Sequence, residues 1–392
     1  MKSKIIILLL IPFFLTGCYD YKEINDLAIV SAIGLAKEDD DNYKVILQVV
    51  NTQNHEGESS SQSDFPNFFT YTAVDKSIFK ALKKITTIGS KKMYFNQFLL
   101  LLIDENVVKD DISTFFDVFL RETESRKEYN IFISKNNESE EILRTMTSLE
   151  TLNAKNIITS NELNSDSIGT TVSKKFEEVL KDFLNKNKEI IIPTLILENN
   201  KSEYDNTDIL KNSYDEVLIK NGPTAIFKNS KLNTYIGENE TMCLKILTND
   251  TDNIVYTYEK GDEIISLELL DIKNKLKFDK NENKVIVNIE IESILSEVSA
   301  NINLKKLSTI KKYNKILSKA IEHDLYNFID NTKFKYNSDL IGIKELIYKY
   351  ENKYYKEIID DYDNFYKNLN FDINVDFKII EKGNTTKEIN NE

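Results

Sequence analysis

The chain has 392 residues and a formal net charge of −13 at pH 7, with 64 acidic and 51 basic residues. This acidic balance argues against a nucleic-acid-binding protein, because binding to phosphates requires basic patches. Hydrophobic residues make up 41% of the chain and charged residues 29%, an ordinary mixture for domains with buried cores. The length predicts two or three domains.

The first predicted element is an apolar N-terminal run that is too short to span a membrane. Lys2 and Lys4 precede apolar residues 5–15, whereas a spanning helix needs about 20 residues. A short positive segment followed by a run of this length is typical of a secretory signal peptide. We therefore predict that residues 1–17 are a signal peptide and are removed.

The run ends in Leu15-Thr16-Gly17-Cys18, which matches the bacterial lipobox. Small residues let a peptidase reach the bond between Gly17 and Cys18, and a thiol can be converted to a lipid thioether. We predict an S-diacylglycerol with palmitate-type chains on the thiol of Cys18. Its amino group could also carry an N-acyl chain. Two acyl chains would hold the protein firmly to a membrane. An ordinary secretion signal with a chance cysteine is the less favoured alternative.

Residues 18–200 are predicted to form an N-terminal α+β domain. Asp75 and Asp111 are each predicted to open a helix, and 174–184 to form a third. The apolar segment 94–103 is predicted to be one central strand, and Pro193 to mark an edge or a bulge. The predicted strands are 27–35, 43–50, 68–74, 94–103, 129–134 and 190–197.

The second half is predicted to begin at the polar stretch 198–208, and a second polar loop is predicted at 51–64. A strand-rich middle region is expected at 201–275, with a further split near residue 275. Its predicted strands are 216–219, 224–227, 242–247, 254–258 and 264–270.

A C-terminal α+β domain is predicted at 276–385, followed by a polar tail at 386–392. It begins with a hairpin of strands 275–278 and 284–291. A final strand, 371–379, has apolar residues at alternate positions. Between them, 345–366 is predicted to be helical, after a long helix with one apolar stripe: Ile310, Tyr313, Leu317, Ile321, Leu325 and Phe328. The fold class is thus multidomain α+β with largely antiparallel or mixed sheets.

The sequence offers little catalytic chemistry. His55 and His323 are the two histidines, too few for a histidine metal site or a Ser-His-Asp triad. No glycine-rich phosphate loop occurs. Cys243 lies in an apolar stretch and is predicted to be a small buried hydrophobe. We therefore expect no enzyme, no metal and no cofactor beyond the lipid.

One segment imitates a calcium loop. Asp279, Asn281, Asn283 and Glu290 fit four of its ligand positions, but Lys284 stands where the loop requires glycine. The flanks alternate as strands do, so a hairpin turn is favoured.

Four segments resemble the Ger(x)C lipoproteins, the C subunits of spore germinant receptors. They are YDYKEINDLAIVSAIGL at 19–35, FLRETESR at 119–126, GPTAIFK at 222–228 and DLIGI at 339–343. Tyr19 replaces the family's usual Trp, and Glu122 its usual Asp. The resemblance runs in order from residue 18 to about 383.

The resemblance implies a fold of three α+β domains on a lipid tether. It implies A-type and B-type membrane subunits as partners, a place on the outer face of the spore inner membrane, and a role in nutrient-triggered germination. Absence of catalytic motifs favours a scaffolding role. Arg121 and Arg126, with Glu122 and Glu124, are predicted to form an ion-pair cluster or, less favoured, to contact a partner.

Two other classes of function remain open. A solute-binding lipoprotein of an importer would have two lobes with regular strand–helix alternation and a ligand in the cleft. The strand-rich region 216–291 argues against it. A wall-remodelling enzyme would need a nucleophile or metal set that the sequence does not offer.

Overall fold

Three β-sheets organise the chain in the computed structural model, which describes residues 26–52, 66–109, 111–121, 126–147, 149–199, 217–250, 253–299 and 306–381. The predicted signal peptide, Cys18, His55, Glu122, Glu124 and the predicted polar tail lie outside these ranges. The strands are β1 (Leu27–Lys37), β2 (Tyr43–Val50), β3 (Phe68–Asp75), β4 (Lys92–Tyr94), β5 (Leu100–Asp104), β6 (Asn130–Ser134), β7 (Ile190–Ile192), β8 (Thr194–Asn199), β9 (Val217–Asn221), β10 (Thr224–Lys228), β11 (Lys231–Ile236), β12 (Ile254–Lys260), β13 (Glu263–Asp279), β14 (Lys284–Val298) and β15 (Asn370–Glu381).

Helices cover these sheets, and the fold is multidomain α+β, as predicted. Among the described residues, none of the helices is long and apolar enough to cross a membrane. The helices are α1 (Ile78–Ile85), α2 (Glu105–Val108), α3 (Ser113–Arg121), α4 (Ser139–Arg144), α5 (Asn153–Ser167), α6 (Phe176–Leu184), α7 (Glu238–Thr248), α8 (Leu307–Asp330), α9 (Ile343–Tyr350), α10 (Asn352–Ile358) and α11 (Tyr362–Lys367).

The N-terminal lobe consists of an eight-stranded sheet and helices α1–α6. Its strand order is β3-β2-β1-β5-β6-β8-β9, with β4 beside β1. Side chains of successive residues point to opposite faces, so Leu101 enters the core beneath α1, α3 and α6, whereas Leu102 enters the core beneath α4 and α5. Every residue of β5 is buried, as expected for a central parallel strand.

The C-terminal lobe consists of a four-stranded sheet, ordered β12-β13-β14-β15, and helices α7–α11. The predicted apolar stripe of α8 is confirmed, since all six of its residues are buried and five of them, all except Ile310, belong to this lobe's core. The hairpin of β13 and β14 and the last strand, β15, were also predicted. β13 runs through residue 275, where the sequence had suggested a split, and Asp271 interrupts its register nearby with a φ of 46°.

A small third sheet, the bridging sheet, joins the lobes. Its order is β11-β10-β7, and Ala225 and Phe227 of β10 lie opposite Ile192 and Ile190 of β7. Ala225 and Phe227 enter the N-terminal core, whereas Ile226 between them enters the C-terminal core. One strand therefore contributes to both cores.

Several predicted elements were wrong in extent or type. Residues 94–103 form β4 and β5 with a turn between them, not one strand. Residues 190–197 form β7 and β8 in two different sheets, because Pro193 has no N–H for a ladder. The predicted helix at 345–366 is divided into α9, α10 and α11.

Two further corrections concern helices. Residues 242–247, predicted as a strand, lie in α7, whose apolar run is buried on most sides, so its sequence lacks helical periodicity. Ser77, not Asp75, caps α1 by accepting a hydrogen bond from the backbone of Lys80. Asp75 instead forms ion pairs with Lys80 and Lys84.

Candidate functional site

Of the two predicted arginines, Arg121 is the last residue of α3 and is exposed. The guanidinium of Arg121 is 2.9 Å from the carboxylate of Asp117, one helical turn earlier. The i,i+4 spacing of this pair can be read from the sequence, whereas the predicted partners Glu122 and Glu124 lie outside the described residues. Arg126 is exposed. A partner contact through Arg121 and Arg126 stays a prediction, as does lipid attachment at Cys18.

A different site emerges where two of the quoted segments meet. The segments 222–228 and 339–343 both reach a cleft of about 600 Å³ at the junction of the lobes. Lys228 ends β10, and Glu189 immediately precedes β7. Asp339 begins the turn into α9, and Lys344 is the second residue of that helix. We refer to these four residues and their surroundings as the junction cleft.

Asp339 is the most deeply held carboxylate of the junction cleft. It accepts hydrogen bonds from the backbone N–H groups of Gly342, Ile343 and Lys344 at 3.0, 3.0 and 2.7 Å. The hydroxyl of Tyr362 donates a fourth at 2.6 Å. Burial raises the pKa of Asp339, although these donors oppose the shift. Asp339 thereby fixes the start of α9 and ties it to α11.

Glu189 lies half-buried across the cleft from Asp339. Burial, followed by the charge of Asp339, raises the pKa of Glu189 to about 7. Lys228 and Lys344 oppose the shift by electrostatic attraction. Glu189 therefore changes charge near neutral pH at the point where the lobes meet.

Polar contacts close the cleft from several sides. Across the lobes, Lys188 lies 3.4 Å from a carboxylate oxygen of Glu345, and Lys344 donates to the backbone carbonyl of Lys186 at 2.9 Å. The hydroxyl of Tyr355 donates to the side chain of Asn187 at 2.7 Å. Such contacts are individually weak in solvent, but several of them restrain the same two surfaces.

A buried lysine joins the lobes at a second point. Lys245 of α7 is 1% exposed, and its ammonium donates to the carbonyl and hydroxyl oxygens of Ser165 near the end of α5. The carbonyl of Thr171 accepts a third, longer bond at 3.3 Å. Burial lowers the pKa of Lys245. A cation at a helix C-terminus also interacts favourably with the helix dipole.

Glycines in two of the quoted segments allow close packing. A Cβ on Gly34 would lie 2.9 Å from Cδ1 of Leu143, so α4 packs directly on β1. A Cβ on Gly222 would clash with the hydroxyl of Thr194. That hydroxyl donates to the carbonyl of Pro223 at 2.7 Å and helps to join β8 to the start of β10.

The remaining candidates for chemistry are dispersed. Within the described ranges, no three His, Cys, Asp or Glu residues are grouped so as to hold a metal ion. Cys243 is buried, as predicted, and burial raises the pKa of its thiol. His323 is exposed on α8. Asp279 accepts hydrogen bonds from the backbone N–H groups of Asn281 and Glu282, which makes the calcium-like segment a hairpin turn.

Two family models match the chain in succession, and the gap between them, residues 198–222, ends just before β10 of the bridging sheet. Residues 20–197 match the family described as spore germination protein N-terminal domain, and residues 223–383 match spore germination B3/GerAC like, C-terminal. The chain belongs to the Ger(x)C family of spore germination proteins. The resemblance carried by the four segments is thus confirmed.

Individual Ger(x)C relatives match at low identity but over nearly their whole length. Spore germination protein KC of Bacillus subtilis is 23% identical, over 92% of this chain and 90% of its own. Spore germination protein B3 of B. subtilis is 20% identical, over 98% and 99%. GerQC of Bacillus cereus is 21% identical, over 97% and 99%.

A solved structure of the Ger(x)C family has the same fold. The crystal structure of the GerBC protein superposes with a TM-score of 0.56 and 16% identity, covering 89% of this chain and 97% of that one. The expected multidomain α+β architecture is therefore confirmed.

Proposed function

We propose that this protein is the lipid-anchored C subunit of a nutrient-germinant receptor and acts with A-type and B-type membrane subunits in spore germination. The observation that carries the proposal is the match of both Ger(x)C family segments, in order, along most of the chain. Relatives named as spore germination proteins match over nearly their full lengths.

Cys18 is the proposed attachment point. Cleavage between Gly17 and Cys18 would make Cys18 the first mature residue, with the diacylglycerol on its sulfur. Only seven residues, 19–25, separate Cys18 from the first described residue, Asp26, and β1 begins at Leu27. A spacer this short would keep the N-terminal lobe close to the membrane surface, on the outer face of the spore inner membrane.

The proposed role is assembly and not catalysis. The titratable groups of the junction cleft hold parts of the protein together: Asp339 binds three backbone N–H groups and Tyr362, and Lys228 pairs with Asp363 at 2.8 Å. A lipid anchor raises the local concentration of the body near membrane partners, so contacts of modest affinity would suffice for assembly.

A crosslinked pull-down from dormant-spore membranes tests this function. We would tag the wild type, Cys18→Ala, and Cys243→Ala as a control that also loses one thiol. We expect the wild type and Cys243→Ala to recover A-type and B-type subunits, and Cys18→Ala to recover them weakly. An Arg121→Ala/Arg126→Ala variant tests the proposed partner contact in the same assay.

The outcomes separate the alternatives. Recovery of a permease and an ATPase would support a solute-binding lipoprotein and contradict the receptor assignment. Undiminished recovery and germination with Cys18→Ala would contradict the role of the anchor. Undiminished recovery with the double arginine variant would remove α3 from the contact surface.

A further inference from the structure

An open groove runs along one edge of the C-terminal sheet, away from the junction cleft. Its volume is about 1330 Å³, and α7, β12 and α8 line it. Among the described strands, β12 forms one of the two edges of the sheet. All residues from Val255 to Lys260 line the groove, which therefore follows the strand along nearly its whole length. We call it the edge groove.

The outward backbone of β12 is open beyond its first residues. The N–H of Val255 donates to the carbonyl of Ile168 at 3.1 Å, away from β13. Groups facing the edge alternate along a strand, so those of Thr257 and Glu259 face the same way. Within the described part of the chain they have no backbone partner on that side. Such an edge is a template for another strand.

The floor of the edge groove is apolar. Its half-buried side chains are Met242 from α7, Tyr256 and Tyr258 from β12, and Ile316 from α8. The hydroxyl of Tyr256 donates to Asp324 at 2.8 Å, which holds that ring in place. An added strand would therefore lie beside a preformed apolar surface that could accept alternate side chains.

The charge of the edge groove changes along its length. Tyr256 contacts Asp324, and Tyr313 donates to Glu263 at the start of β13, so β12 and α8 run in opposite directions. Lys260 of β12 therefore lies toward the N-terminal half of α8, where Lys312 and Lys315 are exposed. The other end is acidic, with Glu238, Glu240 and Asp324.

The basic end of the edge groove has a charge opposite in sign to the net charge of the whole chain. Residues 298–321 contain six lysines and no acidic residue, although the chain carries −13 overall. Lys319 forms an ion pair with Glu322 at 2.5 Å. Lys260, Lys312 and Lys315 form no ion pair with any carboxylate in the described ranges. These cations are available to an acidic ligand.

We propose that the edge groove binds an extended segment of a partner protein, which adds as a further strand beside β12. The segment would place apolar side chains on the floor at alternate positions and carboxylates beside Lys260, Lys312 and Lys315. This inference deepens the proposed function and rests on it for the identity of the partner, because it gives the assembly contact a position and a chemistry.

A fluorescent peptide of alternating valine and threonine, with glutamates at one end, is the probe. Thr257→Pro removes the outward N–H while leaving the ladder to β13 intact, and Thr257→Val is its control. Lys312→Glu/Lys315→Glu reverses the basic end, and Lys311→Glu, an exposed lysine outside the groove, is its control. We expect the Kd to rise by about tenfold or more in Thr257→Pro and in the double lysine variant, but not in either control.

The proposal would be overturned if Thr257→Pro and the double lysine variant each bound the peptide as tightly as its control. It would also be overturned if the wild-type chain did not bind the peptide. A concentration-dependent dimer that Thr257→Pro abolishes would assign the edge to a second copy and overturn it as well. Circular dichroism and the unfolding midpoint show whether Thr257→Pro is folded, and the lysine variants test the groove independently.

The pull-down separates this inference from the proposed function. Receptor subunits recovered equally by the wild type, Thr257→Pro and the double lysine variant would leave the receptor assignment standing and exclude the edge groove as the contact. Peptide binding that follows the expected pattern, without recovery of receptor subunits by the wild type, would exclude the receptor assignment and leave the groove as a binding site.

Discussion

The ammonium of Lys245 lies 2.9 Å from the carbonyl oxygen of Ser165 and 2.6 Å from its hydroxyl oxygen, and thereby joins helices from the two lobes. Lys245→Met keeps the length of the side chain but leaves these buried acceptors without a donor. We expect a loss of about 1–3 kcal/mol in the free energy of unfolding, measured by urea denaturation. Lys311→Met, at an exposed position, should change it little. Equal midpoints for the two variants would show that the contact contributes nothing net.

Asp339→Asn should weaken the start of α9. The amide keeps only one oxygen, so its NH2 group must replace either the oxygen that accepts from Gly342 and Ile343 or the one that accepts from Lys344 and Tyr362. We expect a loss of about 1–3 kcal/mol, because donors are left unpaired in a buried site. Thermal unfolding measures the effect, and Asp360→Asn, exposed in the same cleft, is the control. If Asp360→Asn lost as much stability as Asp339→Asn, this explanation would be contradicted.

Glu189 should make stability depend on pH. Its pKa is about 7 in the folded protein and is expected near the ordinary value of 4.5 in the unfolded chain. Between these values the folded state keeps a proton that the unfolded state has released, so the stability contributed by Glu189 falls as the pH rises. Glu189→Gln stays neutral, so we expect the wild type to lose stability relative to this variant between pH 5 and pH 8.

Unfolding midpoints of both proteins across that range test the prediction. Other titrating groups, such as Asp104, whose pKa burial also raises to about 7, are common to both proteins and cancel in the difference. Glu357→Gln, at an exposed position, should show no such trend. A difference between Glu189→Gln and wild type that stays constant with pH would refute the assignment.

Gly34→Ala should destabilise the N-terminal lobe. The added methyl would lie 2.9 Å from Leu143 and 3.1 Å from Ile46, both buried. Overpacking of this kind costs about 1–3 kcal/mol, measurable by urea denaturation. Gly237→Ala is the control, since nothing lies within 4 Å of its added Cβ. Leu143→Ala should make Gly34→Ala less costly, and an additive double mutant would argue against the clash.

The sequence predicted those elements whose periodicity is local. The alternation of β14 and β15 and the stripe of α8 come from burial on one face. Such burial produces a regular spacing of apolar residues in the sequence. Helix α5 was missed because its buried face is largely polar: Asn153, Asn161 and Ser165 are buried with Ala154 and Ile157. Asn161 donates to the side chain of Asn221 at 2.9 Å. This contact spans 60 residues and has no local signature.

The junction cleft was also missed because the residues that form it are far apart in the sequence. Asp339 before Gly342 and Ile343 is the kind of residue that precedes a helix, so its capping role could have been found from the sequence. Glu189 carried no signal, because its raised pKa depends on burial and on Asp339, 150 residues later. The four segments that resemble the family predicted the correct fold. They did not indicate that 222–228 and 339–343 meet at the junction cleft.

The bridging sheet makes the two family segments a single mechanical unit. β9, which follows the first family segment, closes the N-terminal sheet beside β8, and β10 from the second segment supplies Ala225 and Phe227 to one core and Ile226 to the other. Separating the segments would divide the bridging sheet, leaving β7 with the first segment and β10 and β11 with the second. Heat should therefore melt both lobes in one cooperative transition. A force applied to either lobe would then be transmitted to the other through β10, whose side chains are buried in both cores.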